Sequence, residues 1–445
     1  MPPIGKLTRS TSLVVILSAL ALTLSACGTA GSQADGNKSE VGPGVTDKTI
    51  KVGFITRKAS TAAGGGGFKT PAQGDVNAQV NALVEYINKN GGLGGRKITS
   101  VLKEYDSSQA SVQKENDYCT AFTQDEKVFA VVLLGQRELS SKTCYKDAKT
   151  LMLDAGAVAQ STTVYDSLKP FYWTPSFPAL EPYSRAMMKA LKDEGFITAS
   201  NKVGVVIETG GGYQSAYDTV IKPTLEADGV KSITTAAFDA SSSSTLGTTA
   251  GAAVNNFKAA GVDRVIFLAR GDAVGFFTSI GAPQLYKPRL AIGTYEAPQF
   301  AGDNPAYYPA EALEGAVGVG FLPGIDGIKS DFPRAGAEKK CFDIYKGAGI
   351  SFETRSNART AMSFCDAVMF LKATIGKIGK DGVVNVYNIE DAAGGLGKTL
   401  QSAASLQADY QPGVYAPINA GRLLKYNKAD GAFEYASSLE LFPTS

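Results

Sequence analysis

Apolar and polar positions along this chain follow two rhythms. Ile50, Val52 and Phe54 alternate with other residues at a period of two, which predicts a strand over 50–55. Val76, Val80, Leu83, Val84 and Ile87 recur at helical spacing, and Asn90-Gly91 supplies a stop. A strand over 98–105 and a helix over 110–124 come next. The unbroken apolar run 128–134 is what a parallel strand covered on both faces needs. The rhythm returns with strands predicted at 202–208, 233–238, 263–269, 290–293 and 316–321, and with helices over about 213–227 and ending near 260. Strand and helix thus alternate in two series of comparable length. They predict two α/β lobes, each a doubly wound parallel sheet. Residues 170–178 (PFYWTPSFP) interrupt the rhythm between the series. Beyond Pro323 the pattern turns helical, with the longest helix at 361–378. A hairpin with its turn at 427–431 closes the chain.

The first residues have a different grammar. Lys6 and Arg9 precede an apolar run, 12–24, that is too short to span a bilayer and ends in Leu24-Ser25-Ala26-Cys27. That order predicts a secretory signal peptide over 1–26, and Leu-Ser-Ala-Cys resembles the bacterial lipobox, in which the cysteine becomes the lipidated first residue. Polar, Gly- and Ser-rich residues 28–47 read as a flexible tether behind Cys27. The whole chain of 445 residues carries 44 Lys+Arg against 42 Asp+Glu; without the leader the two are equal. This balance gives no basic footprint for nucleic acid.

Export places the remaining cysteines where disulfides persist. Four cysteines allow three pairings. The short separations favour Cys119 with Cys144 and Cys341 with Cys365, each bridge contributing about 3 kcal/mol in the chain-entropy picture. A zinc site is disfavoured, since no C-x-x-C pair is present and the chain has no histidine. The missing histidine also excludes Ser-His-Asp and Cys-His catalysis and imidazole proton shuttles. Residues 392–399 (AAGGLGKT) fit a permissive phosphate-loop pattern, but the strict first glycine is missing and export removes the nucleotide supply, so a structural turn is the expectation. Trp173, the single tryptophan, reads as packing between the lobes.

One stretch is more specific. Ile87-Asn88-Lys89-Asn90-Gly91-Gly92-Leu93-Gly94-Gly95-Arg96-Lys97-Ile98, following the strand that begins Ile50-Lys51-Val52-Gly53 and preceding Tyr105-Asp106-Ser107, resembles the opening of the branched-chain amino acid type of periplasmic substrate-binding proteins. These are the soluble receptors of ABC importers. Weaker matches follow in order at Leu134-Gly135, 263–266 and Gly293-Thr294, so that the resemblance covers about residues 48–440. It implies two α/β lobes joined by hinge strands, lobe one from 48–177 and 322–416 and lobe two from 178–321 and 417–445. It further implies a small-molecule ligand in the cleft between them, delivery to a permease with its ATPase subunits, a monomer, no cofactor and no catalysis. A sensor of the same fold and an extracytoplasmic enzyme remain as alternatives.

In open parallel sheets ligands sit beyond the carboxyl ends of the strands. The loops concerned are 57–68, 136–141 and 155–158 in lobe one, and 210–213, 270–272 and 294–296 in lobe two. By the resemblance, Gln136, Arg137, Ser140 and Ser141 face a ligand carboxylate, Gly156 and Ala157 form a donating turn, Tyr213 is an aromatic contact, Arg270 a further contact, and Tyr295 or Glu296 stands where an acidic contact is expected. The sequence departs from amino-acid binders in offering no acid after the hinge strand until Glu181. Arg137 and Arg270 are therefore expected to clamp a carboxylate, since a guanidinium presents a bidentate fork. The anchor gives the first test. Cys27→Ala is expected to abolish lipidation and release the protein from the membrane fraction; a variant that stays membrane-bound after an alkaline wash contradicts the lipobox.

Overall fold

The computed structural model describes residues 38–57, 63–64, 68–106, 111–239 and 243–443. The leader and Cys27 lie outside the described residues.

The first sheet contains β1 (Thr49–Arg57), β2 (Lys97–Tyr105), β3 (Ala130–Leu133), β4 (Leu151–Asp154) and β5 (Tyr172–Trp173), all parallel, in the order β2-β1-β3-β4-β5. Helices α1 (Val76–Lys89), α2 (Val112–Thr120) and α3 (Leu139–Asp147) connect its strands, and α4 (Leu180–Asp193) follows it. The second sheet contains β6 (Lys202–Glu208), β7 (Ser232–Phe238), β8 (Arg264–Leu268), β9 (Arg289–Ala291) and β10 (Val317–Gly320), parallel in the order β7-β6-β8-β9-β10. The chain then builds α5 (Ala337–Gly347) and α6 (Arg355–Ile378) against the first lobe. It returns beside β10 as antiparallel β11 (Ala420–Asn427), followed by β12 (Ala432–Tyr435) and β13 (Glu440–Leu441), both antiparallel to β11. The predicted parallel sheet thus carries an antiparallel edge, because the returning segment enters from the opposite direction. The central strands have neighbours on both sides and helices on both faces, which is why Ile50, Val52, Phe54 and all of β3 are fully buried.

Several predicted boundaries shift for local reasons. The helices starting at Val112 and Tyr213 each pass through a π turn, at Ala121–Asp125 and Tyr217–Ile221. Helix α6 begins at Arg355 rather than at 361, because Thr354 and Asn357 form a reciprocal capping box. The described part of the predicted tether, 38–47, is bound to the first lobe. Lys38 pairs with Asp391, Glu40 with Lys149, and the Gly42 N–H donates to the Val384 carbonyl at 2.9 Å. Its polar composition reflects these partners.

The motif at 87–98 has a structural use. Asn88 closes a two-way pair with the Ile98 backbone (3.0 and 2.7 Å), and Gly92 holds φ +66°, where a Cβ would lie 2.2 Å from the Arg96 carbonyl oxygen. The buried Arg96 guanidinium then donates to the carbonyls of Thr46, Gly379, Lys380 and Gly382. The motif stitches the start of the first sheet to the chain beyond α6. Residues 392–394 end the helix Val386–Gly394, so no strand leads into 392–399, and Gly397 pairs with Tyr410, in keeping with a structural turn. The sulfurs of Cys119 and Cys144, and those of Cys341 and Cys365, lie at bonding distance, joining α2 to α3 and α5 to α6.

The segments between the lobes run side by side: Thr174 N–H donates to the Tyr415 carbonyl, Leu406 N–H to that of Phe321, and Pro178 bridges Pro417. Trp173 packs there against Phe370 and Tyr415. Two buried carboxylates tie the segments down. Asp366 of α6 accepts from Ser176 Oγ (2.7 Å), Ser402 Oγ and the N–H groups of Ala403 and Ala404. Asp326 accepts from Thr294 Oγ1, Leu322 N–H and Tyr435 Oη. Burial pushes the Asp366 pKa up to about 6 and that of Asp326 to about 7. The native chain therefore binds more protons than the unfolded chain between about pH 4 and 7. Stability from these groups rises as pH falls through that window, by at most ~1.4 kcal/mol per pH unit per group. The melting temperature is expected to be higher at pH 5.5 than at pH 7.5, with a shallower gradient in Asp326→Asn. A melting temperature that falls over this range contradicts it.

Candidate functional site

Both sheets reverse their strand order beside the first strand of the series, between β1 and β3 in one and between β6 and β8 in the other. Such reversals leave a crevice beyond the carboxyl ends of the strands. A cleft of about 560 Å³ lies there, with Arg57, Gly135, Arg137 and Gly156 on one wall, Arg270, Thr294 and Tyr295 on the other, and Arg359 and Ser363 of α6 at its side. A larger groove, about 690 Å³, runs between α1 and α5 on the first lobe. It lies on one lobe, away from the strand ends, and has no wall that closure of the two lobes would complete.

Carboxylates organise the cleft. Glu115 of α2 reaches the N-terminus of α3, where it accepts from the N–H groups of Arg137 (2.9 Å) and Glu138 (2.8 Å) and from Ser141 Oγ (3.2 Å). This is a helix N-terminus of the kind that binds anions, already filled by the chain's own side chain. Glu208, the last residue of β6, is almost fully buried. Its Oε1 meets Arg137 Nη1 at 2.9 Å and its Oε2 accepts the Arg270 N–H at 2.8 Å. The Arg137–Glu208 pair joins the two lobes at the points where their strand orders reverse. Burial lowers the Arg137 pKa, but the attractions of Glu208, Tyr213, Asp272 and Tyr105 together outweigh it and raise the pKa.

The expected site residues divide accordingly. Arg137, Gly156, Ala157, Arg270 and Tyr295 line the cleft. Arg137 and Arg270 do not form a free clamp, since Arg137 holds Glu208 and Arg270 Nε holds Asp272 at 2.8 Å. Gly156 gives its N–H to Asp154, and Tyr295 gives its hydroxyl to the Pro178 carbonyl, so its ring is a fixed wall. Gln136 is buried with Oε1 on the Leu134 N–H, Ser141 is buried on Glu115 and the Glu138 carbonyl, and Ser140 is exposed beside Asn116. None of these three faces the cleft, because the turn into α3 directs them elsewhere. Tyr213 is buried behind the wall. Glu296 is buried with Oε2 on the Gly293 N–H, burial raises its pKa well above its ordinary value, and it does not line the cleft.

Two lining residues were not singled out in the sequence. Arg57 ends β1; its Nε is buried without a hydrogen-bond partner, and its ionisable neighbours are Tyr105 and Arg137. Arg359, one turn into α6, donates to the carbonyls of Pro71 (3.2 Å) and Ser356 (2.5 Å), and its ionisable neighbour is Arg57. Burial lowers both pKa values, that of Arg359 to about 10, and each lies close enough to another guanidinium to be lowered further. Position at a strand end was the signal for Arg57 and for Glu208. Arg359 follows no strand, and the strand-end rule passes over it.

No protein-family model matches the chain, and no curated protein matches it. Solved structures do. An ABC transporter substrate-binding protein from Desulfitobacterium hafniense in complex with Leu superposes with a TM-score of 0.56 at 17% identity, over 87% of this chain and 100% of that one. A solute-binding protein from R. palustris in complex with 4-hydroxybenzoate gives 0.64 at 16%, over 89% and 98%. A fatty acid ABC transporter substrate-binding protein from Thermomonospora curvata gives 0.61 at 17%, over 90% and 95%. The chain has the two-lobed α/β fold of these binding proteins.

The interlobe pair can be tested alone. Glu208→Ala removes the partner of Arg137 and the acceptor of the Arg270 N–H. Amide exchange at residues 135–138 and 270–272 is expected to quicken by about tenfold or more, with β1 and β3 unchanged. Unchanged exchange in both loops would mean that the pair does not hold the cleft together.

Proposed function

We propose that this protein is an extracytoplasmic solute-binding receptor, anchored through a lipid on Cys27, that captures a small molecule in the interlobe cleft and delivers it to the permease of an ABC importer without chemically changing it. The observation that carries the reading is the placement of one cleft at the strand-order reversals of both sheets, with walls from both lobes. The solved structures of this fold, described as binding Leu, 4-hydroxybenzoate or fatty acid partners of ABC transporters, support it. The lobes are taken as 48–177 with 322–416 and 178–321 with 417–445, moving about the segments between them.

Only a ligand that touches both walls more strongly in the closed form can shift the population towards closure. Arg137 and Glu208 already supply part of that closure, so the ligand adds to a bias built into the chain. The permease then distinguishes closed from open. Protein purified without denaturation is expected to take up one small molecule per chain, saturably, and to release it unchanged on unfolding, as read by mass spectrometry. Recovery of a modified product, or binding on only one lobe, contradicts the reading.

A further inference from the structure

We propose that Arg57 and Arg359 form the anion-binding pair of the cleft, and that the solute is an organic acid with an apolar body and no ammonium group. This rests on the cleft being the solute site, and it names what that site takes.

Two half-buried guanidinium groups line the cleft together, Arg57 close enough to Arg359 to lower its pKa, and neither has an ion-pair partner among the described residues. The undescribed loop segments nearby, 58–62, 65–67 and 107–110, contain no Asp or Glu that could serve as one. Holding two like charges together in a part-desolvated wall is unfavourable unless an anion joins them. Arg57 enters from the end of β1 and Arg359 from α6, so two forks reach the cleft from different elements. A carboxylate between them can take charge-assisted hydrogen bonds from both. Thr360 and Ser363 also line this side, their hydroxyls donating to Gln73 Oε1 and to the Arg359 carbonyl.

The rest of the cleft argues for what the acid group is attached to. Phe177, Tyr295, Phe300 and Ile325 present carbon to the interior. An apolar body can rest there while the acid group faces the arginines. An ammonium group carried next to the acid group would find no carboxylate at the arginine pair, since neither Arg57 nor Arg359 has one among its charged neighbours. Glu115 accepts the α3 amides, Glu208 is held by Arg137 and the Arg270 N–H, Asp272 by Arg270, and Glu296 is buried outside the lining with Oε2 on the Gly293 N–H. Glu138, the other lining carboxylate, is not among the charged neighbours of either arginine.

The test is calorimetric titration of the ligand-stripped protein with benzoate, 4-hydroxybenzoate, octanoate and adipate, against benzamide, octanamide, L-leucine and L-phenylalanine. At least one acid is expected to bind one per chain, with its amide or the zwitterions at least about 30-fold weaker. Arg57→Gln and Arg359→Gln should each weaken the acid by about 30- to 1,000-fold, with the Lys variants recovering part of the loss. The ligand-free melting temperature of the Gln variants should hold or rise, since each removes one of two unpaired like charges. A clear fall in it marks the arginines as structural and overturns the inference. So does an unchanged acid affinity in both Gln variants, or saturable binding by none of the acids. If a zwitterion or a neutral amide binds tightly and closes the lobes while the acids do not, the inference fails and the receptor reading stands. If none of the eight compounds binds and the protein carries no small molecule from its source, both fail.

Discussion

A parallel sheet ends in free backbone N–H groups at the carboxyl ends of its strands and at the helices that follow, and these groups must find acceptors. In this protein the chain supplies them from its own carboxylates. Glu115 takes the amides of Arg137 and Glu138, Asp154 that of Gly156, Glu208 that of Arg270, Glu296 that of Gly293, and Asp326 that of Leu322. Each buried carboxylate is stabilised by these donors, and each loop is fixed by its carboxylate.

The charge of the cleft follows from that arrangement. Acids that would otherwise face a ligand are turned into the framework, and the turn before α3, which the resemblance assigns to a ligand carboxylate, is already filled by Glu115. Arg137 and Arg270 are then absorbed by Glu208 and Asp272. Arg57 and Arg359 are left facing the cleft with carbonyl oxygens and each other for company. The Arg137–Glu208 contact also couples framework to motion, because it is a buried-acid pair that spans the lobes.

The fold was legible in the sequence because period-two and helical apolar patterns survive burial, and the Ile87–Ile98 stretch carries glycines whose conformations are locally required. The cysteine pairs were legible from their spacing and compartment. The site was legible only at the level of loops. Arg137, Arg270 and Tyr295 lie where expected, yet their partners come from Glu208, Asp272 and Pro178, and for Arg137 and Tyr295 those partners are distant in the chain. Single-sequence reading sees which side chains a loop offers and not which of them other elements have already engaged. Arg359 escaped because a helix from the late part of the chain brings it to the end of β1, a juxtaposition set by topology alone. The polar run at 38–47 misled for the same reason, its partners Asp391, Asn385 and Lys149 being remote in sequence.

The central claim is that a solute held between the two walls closes the lobes about the segments that Asp366 and Asp326 tie down. Small-angle X-ray scattering on the protein stripped of small molecules, and again after reloading with the molecule recovered from it, tests this directly. A radius of gyration that falls on reloading, with the scattering profile moving towards that of the compact two-lobed structure, is the predicted result. A profile unchanged while the molecule is bound at one per chain would contradict the account.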